Sequence, residues 1–258
     1  MPAVSAASDG TGRHERADPD PSDPPDTPDS SDPSGASDPA SPGRTTITLR
    51  PLASPLPLGL FAFTIGSFLL ALSQLGVFAA SESTTVYLMC AVFVAIPQLL
   101  ASVMAFLARE PIVATLLGLL AVSWPTQYVV ALSAGTPTSG PRGALFLALG
   151  VTLLALALPG LTAKPVVSAL VVVASLRFVA GGLYDLTSAT GWERVSGAIA
   201  LLVVVLGGYL AVALVYEDVR HRTVLPVGRR GESRTAMEGG LADQERSLPQ
   251  EAGVRAQL

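Results

Sequence analysis

Signatures of catalysis and of metal binding are missing from this 258-residue sequence. It contains no phosphate-binding loop, dinucleotide-binding glycine pattern, nucleophile elbow or zinc motif. Its single cysteine, Cys90, cannot form an intrachain disulfide and is interpreted as a small buried hydrophobe. The two histidines, His14 and His221, have no companions at metal-ligand spacing. We therefore expect no enzyme activity, no cofactor and no metal site.

Charged residues are also scarce, at 14% of the chain, whereas half of all residues are hydrophobic. The mean hydropathy of +0.51 is too high for an ordinary soluble domain of this length. Most of the apolar side chains must therefore face lipid or other buried helices. No broad basic surface suggests nucleic acid as a partner. The lipid bilayer is the first partner that the composition predicts.

The acidic residues are concentrated at the N-terminus. Residues 1–40 hold nine of them, and residues 1–44 hold nine prolines among Asp, Ser, Thr and Gly. Such a composition cannot bury enough apolar surface to offset chain entropy. It also lacks the basic region and apolar core of a signal peptide. We interpret residues 1–50 as a disordered cytoplasmic tail, either passively solvated or recruiting a partner.

Six apolar runs follow, and each is long enough as a helix to cross a hydrocarbon core of about 30 Å. The predicted spans are residues 58–79, 86–107, 112–133, 142–159, 165–184 and 196–216. The predicted fold class is all-α integral membrane, with six transmembrane helices and disordered tails at both ends. The transmembrane domain is placed at residues 51–217, and a cytoplasmic C-terminal tail at residues 218–258.

Basic residues in the loops predict the orientation, because Lys and Arg are retained on the cytoplasmic side. With the N-terminus inside, the outer loops contain Arg142 and Arg194 alone. The inner segments include Arg44, Arg50, Arg109, Lys164, Arg220, Arg222, Arg229 and Arg230. The pattern favours a multi-pass plasma membrane protein with both termini in the cytoplasm.

A few polar or helix-disturbing residues lie within the predicted spans. Pro125 interrupts the hydrogen bonds of the third span, which is typical of a pore wall or of a packed kink. Gln74 and Gln98 need a partner helix or water. Arg177 costs about 2.5 to 3.5 kcal/mol at a helix centre. It must lean towards the outer face, pair with a polar group, or line an aqueous path.

Acidic residues are missing from the six predicted spans. The sequence therefore offers no obvious proton relay, and Glu110 at a helix end is the nearest candidate.

Several landmarks resemble a known family. Residues Ser54 to Leu60 read SPLPLGL, which is similar to the Asn-Pro-Ala-Pro-Leu-Gly-Leu signature of the acetate uptake transporter family, the succinate–acetate permease group. Gln98, Ala101, Phe106, Thr115 and Trp124 match the pattern of that family's second and third spans. Gly197, Tyr209 to Ala211 and Arg222 to Gly228 resemble its G…YLA…RTVLPIG ending. The resemblance covers about residues 52–230.

The resemblance implies six helices around a narrow substrate path and a homo-oligomeric ring, a hexamer by analogy. It also implies transport of acetate, and in some members succinate, coupled to protons or through a channel. Pro57, Gly59 and Leu60 belong to the signature at the entry of the path. Phe63 matches an aromatic residue that narrows it, and such constrictions hold back hydrated ions.

Departures from the family pattern bear on the substrate. The signature Asn is Ser54 here, the constriction Tyr is Leu120, and a constriction Leu maps near Ala174, close to the unusual Arg177. The Glu that ends the second span is Ala105. These changes predict a wider and less polar constriction, suited to a substrate larger than acetate or to loss of transport.

The predicted function is a transporter or channel for small monocarboxylates, acetate first, driven by substrate and proton gradients. Alternatives are a channel for a small neutral or cationic solute such as urea or ammonia, and a membrane scaffold whose tail binds a partner. The predicted polar contacts are Ser54, Gln98 and Thr115, the constriction is Phe63 and Leu120, and Arg177 attracts the anion. The full set of path residues is Ser54, Pro57, Gly59, Leu60, Phe63, Gln98, Thr115, Leu120, Trp124, Ala174 and Arg177.

Overall fold

The computed structural model describes residues 53–134, 138–161, 164–220 and 222–230. The tail predicted over residues 1–50 lies outside these ranges, as does most of the predicted C-terminal tail. Within the described ranges every regular element is a helix. The following paragraphs concern these residues alone.

Six long helices make up the described part of the chain: α1 Leu56–Gln74, α2 Ala80–Leu107, α3 Pro111–Ala134, α4 Gly140–Ala157, α5 Pro165–Thr187 and α6 Thr190–Arg220. A short 3-10 turn, Pro159–Leu161, extends α4. All six are long and apolar enough to cross a membrane. The prediction of an all-α integral membrane protein with six transmembrane helices is confirmed.

The first predicted span ends too late, because α1 stops at Gln74 and not at residue 79. Gly76 adopts a φ of 79°, a left-handed conformation that glycine reaches without a steric penalty. Its amide donates to the Ser73 carbonyl at 3.1 Å, and the Val77 amide donates to Leu72 at 2.9 Å. These two hydrogen bonds form a Schellman motif, which ends a helix and which hydropathy alone does not detect.

The sixth predicted span is too short at both ends, because α6 runs from Thr190 to Arg220 and crosses the predicted domain boundary at residue 217. Ser188, with a φ of 55°, ends α5 and its amide donates to the Tyr184 carbonyl at 2.8 Å. The turn between α5 and α6 is therefore only two residues long. Polar residues at the start of α6 hid this beginning from a hydropathy reading.

The helices form a ring in the spatial order α3, α2, α1, α6, α5 and α4, and α4 packs only lightly on α3. Small residues allow the closest approaches. A Cβ built on Gly182 would lie 2.9 Å from the Gly143 carbonyl oxygen, so α5 and α4 touch through their backbones. The outward faces carry exposed Val, Leu, Ile and Phe side chains, as lipid contact requires.

The loops gather at two ends of the bundle. At the terminal end, where α1 begins and α6 finishes, Ser54, Glu110, Lys164 and Asp218 line one cavity. At the far end, the Thr138 and Ser188 hydroxyls lie 3.1 Å apart. Chain direction alternates from helix to helix, so α1 and α5 both run from the terminal end to the far end.

The segment 222–230 follows α6 and packs against the terminal end of the bundle. The Tyr209 hydroxyl donates to the Pro226 carbonyl at 3.0 Å, and Val227 is buried. Arg229 pairs with Glu217 at 2.6 Å. Part of the predicted C-terminal tail is therefore an ordered wall of the bundle.

Candidate functional site

An apolar chamber lies between α1, α3, α4 and α5. Every lining side chain is a hydrocarbon: Leu56, Leu60, Phe63, Val113, Leu116, Leu117, Leu120, Leu153, Val167, Leu170, Val171 and Ala174. Four residues that the sequence predicted for the path, namely Leu60, Phe63, Leu120 and Ala174, lie together here. They come from three helices, so only the tertiary structure shows that they share one chamber.

A buried cluster adjoins the chamber at Phe63. The Phe63 ring meets Trp124 edge to face, with the ring centroids 6.3 Å apart. The indole N–H of Trp124 donates to Gln98 Oε1 at 2.6 Å, and Gln98 Nε2 donates to the Gly59 carbonyl at 3.5 Å. Gln98 is fully buried. It therefore joins α2 to both chamber walls and holds Trp124 behind the constriction.

Gly59 has a packing role in this cluster. A Cβ at this position would lie 2.7 Å from a Leu117 methyl carbon, so Leu117 occupies the space that a side chain at position 59 would need. Leu117 itself lines the chamber. The signature glycine thus shapes the chamber from outside its lining, and Pro57 lies buried in the first turn of α1.

A π-helical segment, Cys90–Val94, widens α2 at mid-span. Cys90 and Val94 are fully buried, and the Cys90 thiol lies 3.9 Å from the Gly66 carbonyl. Insertions of this type recur at functional sites. No compositional signal in the sequence indicated it.

Charged residues surround the chamber at the terminal end. One cavity is lined by Ser54, Leu56, Glu110, Lys164, Val167, Leu210, Leu214, Asp218, Val227 and Arg229. A second cavity also reaches Glu110 and Lys164. Both share lining residues with the chamber, Leu56 and Val167 in the first case. We call these two cavities the vestibule, and it contains the predicted residue Ser54.

Thr115 and Pro125 lie outside the chamber lining. The Thr115 hydroxyl donates to the carbonyl of Pro111 in its own helix at 2.8 Å. Pro125 sits inside a continuous α3, whose chamber-lining residues belong to its first half. The helix with the proline is thus a chamber wall, but the proline itself is displaced from the chamber by more than one turn.

Arg177 lies on α5, three residues beyond the chamber residue Ala174. It is 4% exposed, and its Nε has no hydrogen-bond partner. Its guanidinium carbon stands 5.4 Å from the centroid of the Phe178 ring. Among the described residues Arg177 forms no ion pair, because both ion pairs found there involve other arginines.

Arg142 and Asp185 correct two predictions. Arg142 was assigned to an outer loop, yet it lies in the first turn of α4 and is buried. Its Nε and Nη2 donate to the two carboxylate oxygens of Asp185 at 2.8 and 2.5 Å. The backbone amide of Ser139 adds a third bond to Asp185 at 3.3 Å. The pair can be buried because the guanidinium and the carboxylate form a bidentate ion pair, which compensates for their loss of hydration.

The expectation that the spans lack acidic residues is therefore wrong. Asp185 and Glu217 are buried within α5 and α6, and Glu193 lies in the first turn of α6. They were missed because the apolar runs were ended at residues 184 and 216, one residue before each buried carboxylate. A buried carboxylate that pairs with an arginine elsewhere in the sequence leaves no pattern in local hydropathy.

The described part of the chain is thus a six-helix membrane protein with an interior apolar chamber. No protein-family model and no curated protein matches the sequence. Among solved structures, the bacterial acetate channel SatP is similar, with a TM-score of 0.62 and 24% sequence identity. The match covers 69% of this chain and 99% of the SatP chain. The fold that the sequence resemblance implied is confirmed by this similarity.

Proposed function

We propose that the protein is a transporter or channel for small monocarboxylates, with acetate as its first candidate substrate. The observation that carries the proposal is the chamber lined wholly by hydrocarbon side chains, which adjoins a charged vestibule. The similarity to a bacterial acetate channel in fold supports it. A small acid with an apolar tail suits such a chamber, whereas a hydrated ion does not.

The same lining supports coupling of transport to protons. An ionised carboxylate loses much hydration energy in a space without polar groups, and the protonated acid loses far less. A substrate that crosses the chamber as the neutral acid carries its proton with it. Coupling then needs no chain of acidic residues, and the proton gradient drives uptake through the substrate itself.

Uptake of labelled acetate into vesicles containing the purified protein tests the proposal. We expect protein-dependent uptake that increases when the outside is made more acidic than the lumen. Absence of uptake for acetate, propionate and succinate alike would refute it. Urea and ammonia are the comparison solutes, because an apolar chamber also admits neutral molecules; a faster flux for either would favour the alternative channel.

The orientation and the assembly belong to the same proposal. With Arg142 buried in a pair, Arg194, near the start of α6, is the one exposed basic residue at the described far end. Both termini are therefore proposed to lie in the cytoplasm. The protein is proposed to lie in the plasma membrane as a homo-oligomeric ring. Because the only cysteine is buried, a cysteine introduced at Ala53 or at Gly191 should be labelled from opposite sides of the membrane. Light scattering of the detergent complex would measure the number of subunits.

A further inference from the structure

The chamber walls change character at one level of the bundle. On α1 the lining residues Leu56, Leu60 and Phe63 lie on one helical face, because they are spaced by three or four residues. Ser67 is the next residue on that face, and Gln74 lies two turns beyond Ser67. The face is therefore wholly apolar up to Phe63, and beyond it Ser67 and Gln74 alternate with the buried Leu70.

The opposite wall changes in the same way. On α5 the lining residues end at Ala174, and Arg177 stands two turns beyond Leu170 on the same edge of the lining face. Because α1 and α5 run in the same direction, Ser67 and Arg177 both follow the chamber on the side of the far end. Each is about 4.5 to 6 Å along its helix axis beyond the last lining residue. Long side chains on a helix lean towards its N-terminus, and for Arg177 that is the direction of the chamber.

The polar groups of this region lack protein partners. Among the described residues, the buried side-chain atoms without a hydrogen bond are Ser67 Oγ, Gln74 Oε1 and Arg177 Nε. Ser67 is fully buried. All three belong to the part of the path beyond Phe63, and the other buried side-chain polar atoms in the described ranges are bonded. Buried groups of this type in native proteins usually bind an ion or an ordered water molecule.

The positive charge of Arg177 indicates whether water or an anion binds to these groups. The buried carboxylates Asp185 and Glu217 are already paired, with Arg142 and Arg229 respectively. An uncompensated guanidinium in a low-dielectric interior is unfavourable, so the missing partner should carry negative charge. Water would satisfy the hydrogen bonds but not the charge. The Ser67 hydroxyl can donate one further bond to the same anion.

We propose that Arg177 and Ser67 form a carboxylate-binding station at the far limit of the chamber, and that it selects monocarboxylates with a short apolar tail. The carboxylate contacts Arg177 and Ser67, and the tail extends past Phe63 into the chamber. This inference rests on the proposed function for its substrate class. A dicarboxylate is disfavoured, because its second carboxylate would enter a lining that offers no hydrogen-bond donor.

Binding of labelled propionate to the purified full-length protein in detergent, by equilibrium dialysis, is the direct test. We expect Arg177→Gln to weaken binding at least about tenfold, as loss of a charge-assisted hydrogen bond would. Arg177→Lys should keep part of the affinity, and Ser67→Ala should weaken binding about threefold. Arg194→Gln, which removes the same charge from an exposed position, is the matched control and should bind as the wild type does. Succinate should compete at least about tenfold more weakly than propionate.

Thermal unfolding supplies a second readout and shows whether each variant is folded. Propionate should raise the midpoint of the wild type and leave Arg177→Gln unchanged. If Arg177→Gln fails to fold, Arg177→Lys and Ser67→Ala decide by their reduced affinity.

The outcomes separate this station from the transport function. Vesicle uptake by the wild type, together with unchanged propionate binding in Arg177→Gln, overturns the station and leaves transport standing. Binding that depends on Arg177 without uptake by the wild type supports the station and overturns transport. Equal affinities for propionate and succinate overturn the proposed selectivity.

Discussion

The apolar chamber and the part of the bundle beyond Phe63 differ in the polarity of their buried side chains. The chamber residues are all hydrocarbons, whereas the bundle beyond Phe63 contains the buried pair of Arg142 and Asp185 and also Arg177, which has no carboxylate partner among the described residues. A hydrocarbon lining tolerates changes of shape as long as its volume is kept. A buried charge tolerates no loss of its partner. Substitutions at the two places should therefore affect different properties of the protein.

The largest effect is expected from Asp185→Asn at the far end. The Arg142 guanidinium would remain buried without its carboxylate, and breaking such a pair costs about 3 to 5 kcal/mol. We expect a marked fall in the thermal midpoint of the detergent-solubilised protein. The paired replacement Arg142→Met with Asp185→Leu is the control, because it removes both charges together and should recover much of the loss. An unchanged midpoint for Asp185→Asn would show that the pair is solvated.

In the chamber, Ala174→Phe should act on flux more than on stability. The larger ring occupies empty space beside Phe63, so acetate uptake should fall at least about tenfold while overpacking costs about 1 to 3 kcal/mol. Leu202→Phe, at a lipid-exposed position of α6, is the matched control and should transport normally. Ala174→Leu should reduce propionate uptake more than acetate uptake. Full activity of Ala174→Phe would mean that the substrate does not cross this chamber.

The smallest effect is expected at the boundary between the two regions. Gln98→Leu deletes the acceptor for the Trp124 indole N–H, and leaving that buried donor unpaired costs about 1 to 3 kcal/mol. Trp124→Phe in the same background removes the donor too and should restore part of the stability. A double-mutant cycle on the unfolding midpoints measures this coupling. Additive effects would indicate that water replaces Gln98.

Much of the fold could be predicted, because the length and hydropathy of a transmembrane helix are properties of one continuous segment of sequence. The second to fifth predicted spans agree with the helices to within a few residues at most ends. The errors fall where a backbone motif or a polar turn decides the boundary. Gly76 ends α1 early, and Ser188 lets α6 begin before its apolar run.

The candidate site could be predicted only in part. Family resemblance placed Phe63, Leu120 and Ala174 in the path, and the structure brings them to one chamber. Arg177 stood out from the sequence as a charge without an explanation, whereas Ser67 did not, since a serine in a transmembrane helix is common and harmless when it bonds its own backbone. Its missing hydrogen bond is visible only once its neighbours are in place.

The sequence by itself determined the membrane environment, the number of helices and their approximate limits, because hydropathy and helical rise act within each segment. The tertiary structure decided which polar groups are paired. Arg142 and Asp185 are 43 residues apart in the chain and meet through a close approach of α4 and α5. Among the described residues, Ser67 Oγ and Arg177 Nε are left without a hydrogen-bond partner. Pairing depends on distances between helices, and no local pattern encodes those distances.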